Sequence, residues 1–160
     1  MKKIPLSAVL MMMFFCSVIT NGWAQNHIEE MSHIRSSMTE IGGKLPEIIK
    51  AAKPEDIRTL ERVFEINNYA LMTIESYLKM LKVSALSGKG LNKDITILVN
   101  KWLQFIASYC ENDIIYLNEA KNETKNKTTA YTVESERDCI ARLMEAAKKG
   151  IVENSSLFPN

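Results

Sequence analysis

The stretch 53-KPEDIRTLERVFEINNYALMTIESYLKMLKVSALSGKG-90 decides the fold. Within it Ile57, Leu60, Phe64, Asn67, Leu71, Ile74, Leu78 and Leu81 alternate spacings of three and four, the period of a helix that buries one face. Val63, Ala70 and Tyr77 each stand one position earlier and widen that stripe from a two-strand seam to a bundle face. Pro54 in the first turn, with Glu55 and Asp56 near the positive end of the dipole, predicts the start. Ser87-Gly88-Lys89-Gly90 predicts the turn that ends the helix.

Three more segments with the same period flank it. On the N-terminal side, Met31, Ile34, Met38, Ile41, Leu45 and Ile48 form one stripe. Gly42-Gly43 and Pro46 interrupt it, and the cost of Gly and Pro inside a helix predicts a break with a short second piece from Pro46 to Ala52. On the C-terminal side, Asn92 is a capping residue and Ile95, Leu98, Trp102, Phe105, Tyr109, Asn112 and Tyr116 form a stripe flanked by Leu103, Cys110 and Leu117. Lys121 to Thr129 reads as a loop. A fourth helix is expected from near Thr132 to Lys149-Gly150, a basic last turn followed by a terminating glycine, with an aperiodic tail from Ile151. Short connections between four amphipathic helices predict an all-α, up-and-down four-helix bundle with the second helix central. The composition agrees: 160 residues with 46% apolar, six Gly and four Pro fit one helical core rather than an all-β domain.

The first residues read as an address. Met1-Lys2-Lys3 is basic, Ile4 to Thr20 is apolar, and Gly22 and Ala24 supply the small residues of a signal cleavage site. The expectation is a cleaved signal peptide over 1–24, a mature domain over 25–160, and an exported, periplasmic location. The apolar run falls short of the ~20 residues that span a bilayer, so no stable membrane anchor is expected. Phe14-Phe15 ahead of Cys16 is unlike a lipid-attachment motif. A preference for Lys over Arg, 15 against 5, suits a bacterial source of low GC content. Removing 1–24 leaves 18 basic against 19 acidic side chains, which argues against a nucleic-acid partner.

Candidate chemistry is sparse. Cys110 and Cys139, an even pair in an exported chain and placed across the third and fourth helices, are expected to form one inter-helix disulfide. Glu30 and His33 make an E-x-x-H, the spacing of di-iron bundles, but the second such pair is missing and the only other histidine is His27. They are the weak metal candidates, and neither a metal nor another cofactor is expected. The carboxylate pairs Glu61 with Glu65 and Glu111 with Asp113 read as polar helix faces, so no catalytic constellation is expected. The sequons at Asn122, Asn126 and Asn154 are no more than chance provides.

Asn67 and Asn112 interrupt otherwise apolar stripes. A buried Asn commonly sets helix register, and on that reading replacing Asn67 with leucine leaves the melting temperature unchanged or raises it. The alternative makes Asn67, Tyr109 and Asn112 the polar groups of an interior ligand site. Trp102, Phe105, Tyr109 and Tyr116 read as core because their spacing is helical. By exclusion, the expected function is a non-catalytic protein-interaction module such as an adaptor, inhibitor or immunity-type protein whose partner is another protein. The alternative is a carrier of a small ligand or metal in the bundle interior.

Overall fold

In the computed structural model the described backbone covers residues 6–86 and 93–157, and the described side chains cover residues 25–83 and 93–155. The described backbone is all-helical: α1 (Leu6–Ala51), α2 (Pro54–Leu86), α3 (Lys93–Glu123) and α4 (Lys127–Leu157), with no strand among the described residues. Among these residues no helix is long and apolar enough to cross a membrane. The expected turn at Ser87-Gly88-Lys89-Gly90 and the expected cap at Asn92 lie outside the described residues.

The helices form a bundle of hairpins. Two residues separate α1 from α2 and three separate α3 from α4, too few for anything but a reversal. Ion pairs between distant positions fix the pairing: Arg35 with Glu75 at 3.9 Å for α1–α2, and Lys121 with Glu134 at 2.5 Å and Lys148 with Glu111 at 2.7 Å for α3–α4. The α3–α4 pair is the most extensive and the α2–α3 pair the least, while α2 and α4 meet across the short diagonal and α1 and α3 do not approach.

α2 is the expected helix, with its buried face turned slightly from the predicted stripe. Val63, Ala70 and Tyr77, the widening positions, are buried with Leu60, Ile66, Asn67, Ile74, Leu78 and Leu81. Ile57, Phe64 and Leu71 sit half-buried at the edge. α4 starts where Asn126 caps it, its Oδ1 accepting from the Thr128 and Thr129 N–H groups at 2.9 and 3.4 Å.

Four expectations are corrected. The first concerns the predicted break at Gly42-Gly43 and Pro46: α1 runs through all three. Pro46 leaves the Gly42 carbonyl without its helical donor, at a cost of about 3 kcal/mol against alanine. Met38 and Leu45, both fully buried on either side of Gly42, contribute about 2 kcal/mol each by burial, enough to hold the helix together.

The second is the fourth helix, which spans Lys127–Leu157 rather than ending at Gly150. Gly150 is a point of close approach, since a Cβ there would meet His27 Cε1 at 2.9 Å and Leu103 Cδ1 at 3.0 Å. The segment read as a tail carries Asn154, fully buried, whose Nδ2 donates to Asn100 Oδ1 at 3.0 Å.

The third is the face of α3. Val99, Leu103, Ile106, Ala107, Cys110, Asp113 and Leu117 are the buried positions, one step round from the predicted stripe. Compact side chains there let α3 and α4 pack closely, and the rings of Trp102, Phe105, Tyr109 and Tyr116 are displaced to the edge, where Phe105 is 46% exposed.

The fourth is the disulfide: Cys110 and Cys139 are free thiols, both buried. Cys139 looks toward α1, lining a groove with Ser37, Ile41 and Ile48, whereas Cys110 is buried on α3 and does not line that groove. Lying on facing helices of a hairpin is not enough, because a disulfide also needs the two Cα atoms close and the two Cβ vectors converging. Denatured without reductant, the protein from residue 25 onward is expected to show two titratable thiols, Cys110 and Cys139. The native form should react slowly, since burial pushes the Cys110 thiol up to about 12 and raises that of Cys139. Finding no free thiol would restore the pairing.

Candidate functional site

All four helices contribute to a buried polar junction. Asn67 of α2 is fully buried, and its Nδ2 donates to the Met38 carbonyl of α1 at 3.0 Å and to Glu136 Oε2 of α4 at 2.9 Å. Both amide protons are thereby used. Glu136 is also fully buried, its Oε1 has no donor among the described residues, and the same holds for Asn67 Oδ1. Burial drives the Glu136 carboxyl up to about 7, the negative charge of Asp113 on α3 adds to the rise, and the Asn67 amide opposes it. Asp113 is 4% exposed and bonded to the Tyr109 hydroxyl; burial raises its carboxyl as well, with Tyr109 and Arg62 pulling the other way.

Gly42 exists in this place because Asn67 is there. A Cβ built on it would lie 2.5 Å from Asn67 Oδ1, while one on Gly43 would meet nothing within 4 Å. The two neighbouring glycines therefore respond with opposite signs. Gly42→Ala is expected to lower stability by about 2 kcal/mol, because the amide that must move is held by two hydrogen bonds. Gly43→Ala is expected to raise it by about 1 kcal/mol through helix propensity alone. Urea unfolding of both variants checks this, and equal effects would disprove the close approach.

The second feature is an aromatic face along α2 and α3, where the two helices approach least. The Tyr69 and Tyr109 rings pack with centroids 4.5 Å apart, Tyr109 stacks on Phe105 at 6.5 Å, and Phe105 meets Trp102 edge-on at 6.0 Å. Leu98 and Met72 extend the face at 48% and 68% exposed. At its other end the Arg62 guanidinium lies 5.9 Å over the Tyr116 ring and pairs with Glu65 at 2.9 Å. Contiguous exposed rings of this kind mark contact surfaces, since single apolar side chains are ordinary on a protein exterior but clustered aromatics are not.

The sequence-predicted site residues are thus dispersed. Asn67 is in the junction, Tyr109 bridges the junction to the aromatic face through Asp113, and Asn112 is exposed on α3 with its Nδ2 donating back to the Ser108 carbonyl at 3.3 Å. Asn112 is therefore no core residue. Glu30 pairs with Lys149 at 3.4 Å and His33 is exposed. Among the described residues no group of three or more His, Cys, Asp or Glu side chains could hold a metal ion. His27 is buried, with its ring edge-on to Tyr77 at 5.6 Å, and burial lowers its pKa. The sequence reading missed Asp113, taken as a polar-face acid, and Glu136, which reads only as an acid near the start of the fourth helix. The signal was present for Asp113, which falls in register with Ile106, Cys110 and Leu117.

No known protein family, curated protein or solved structure matches the chain.

Proposed function

We propose that the protein is a non-catalytic helical module that binds another protein through its α2–α3 face, exported and working from residue 25 onward in the periplasm. The observation that supports this reading is the line of rings from Tyr69 through Tyr109 and Phe105 to Trp102, held in a semi-exposed row on rigid helices. Rings on helices bring large contact area at little entropic cost, the character of interface anchors. The basic start and apolar run of residues 1–20 support export.

The test is crosslinking in the native host with a photoreactive residue at Phe105, against the same residue at Val152, an exposed position of α4. The expected result is one stoichiometric protein partner captured from position 105 and not from 152. Trp102→Ala and Phe105→Ala should each weaken that complex by roughly 30-fold, the size of a central aromatic anchor, with helix content unchanged. A complex indifferent to both substitutions would remove the face from the reading.

A further inference from the structure

The opposite side of the bundle, between α1 and α4, carries a groove with a different chemistry. Its cavity of 340 Å³ is floored by Ile41, Ile48 and the buried Cys139 and edged by Ser37, Ser135 and Tyr131. A second cavity of 310 Å³ shares Ile48 and Thr128 with the first and continues along the same two helices past Ala51 and Ala52. The combined space is long and narrow, and its volume falls in the range of small-molecule sites.

One end of this groove holds an unneutralised cation. Arg142 donates from Nη2 to Cys139 Sγ at 3.2 Å, and no carboxylate stands within 4.0 Å of it among the described residues. Arg35, Arg62 and Arg137 have carboxylate partners, while Arg58, like Arg142, has none within 4.0 Å among the described residues. The other charges along the combined space are Lys44 and Glu40, which neutralise each other at 2.6 Å, and Glu47, which lines the second cavity at the far end from Arg142. The charge left unpaired at the Cys139 end is therefore positive, on a planar group whose N–H donors match a carboxylate.

We propose that the α1–α4 groove binds one linear amphiphile with a single carboxylate head, a free fatty acid, its head on Arg142 and its chain along Ile41 and Ile48. The occupant is an acid because the unpaired charge at the Cys139 end is a guanidinium, and linear because the two cavities run on end to end. It occupies the groove between helices, in contrast to an interior site at Asn67, whose amide protons are both used. The site is independent of the aromatic face, which lies on the other pair of helices.

Titration calorimetry of the full folded chain with dodecanoate tests this, with dodecyl glucoside as a probe of equal chain and neutral head. The expected result is binding at one to one, at least tenfold weaker for the glucoside, with Arg142→Gln losing about tenfold for dodecanoate and nothing for the glucoside. Ile48→Asp, on a half-buried position, should abolish dodecanoate binding, and circular dichroism confirms the fold of each variant. Trp102→Ala, on the aromatic face, should leave dodecanoate binding unchanged. Absence of binding, several dodecanoates per chain, insensitivity to Arg142→Gln, or loss with Trp102→Ala would each overturn the assignment.

Discussion

Raising the pH from about 4.5 to above 7 is expected to cost the folded protein on the order of 3 kcal/mol through Glu136 alone, the equivalent of a carboxyl moved from 4.5 to about 7. The sign follows from proton counting. Below pH 4.5 the side chain is protonated in both folded and unfolded chains, and the group contributes no difference. Between 4.5 and about 7 the unfolded chain releases the proton and the folded chain keeps it, so stability falls as pH rises. Above 7 the folded chain carries the full cost of a buried carboxylate whose Oε1 has no donor. Burial disfavours the charged form and the negative charge of Asp113 adds to this, which is why the junction favours the acid form. Burial raises Asp113 too and adds a slope of the same sign from 3.8 upward. His27, lowered below 6.5 by burial, acts in the opposite sense, losing stability as the pH falls beneath that value. The measurement is therefore a difference: chemical unfolding of wild type and Glu136→Gln from pH 4 to 9. Gln keeps an acceptor for Asn67 and cannot ionise. The gap between the two curves should swing in favour of the variant by about 3 kcal/mol across the window. A constant gap would show that Glu136 titrates normally.

Asn67→Leu is expected to lower stability by about 3 kcal/mol at neutral pH, the reverse of the outcome that an isolated register-setting asparagine implies. The leucine removes the one donor that reaches Glu136, leaving a fully buried carboxyl with no partner, and takes away a bond to the Met38 carbonyl. It must also fit where Gly42 already approaches closely. The double substitution Asn67→Leu with Glu136→Leu should recover most of the loss, since an apolar pair of similar volume is no worse than a buried polar pair. Thermal melts of the two single and the one double variant form a cycle, and the coupling between sites should exceed 1 kcal/mol. Full stability of Asn67→Leu on its own would reduce the junction to a register mark.

The sequence by itself determined the fold class and most of the framework. A period of three and four is set by the geometry of one helix, so it survives without knowledge of neighbours, and the α2 stripe from Leu60 to Leu81 needed no other chain segment to be read. The start of α2 at Pro54 was legible for the same reason, since first-turn chemistry is local. What depends on two helices at once was decided only in the bundle. In α3 two adjacent stripes were both apolar enough to bury, and close packing against α4 selected the compact one, leaving the rings outside. α1 continues through Gly42 and Pro46 because tertiary burial outweighs local propensity, and Gly42 has meaning only once Asn67 is opposite it. The cysteines fall on facing helices of a hairpin yet stay free, because the register and direction of two helices are coordinates that spacing does not encode. Glu136 looked like any acid near a helix start. Its role arises from the three other helices that close over it and remove the water that would have held its charge.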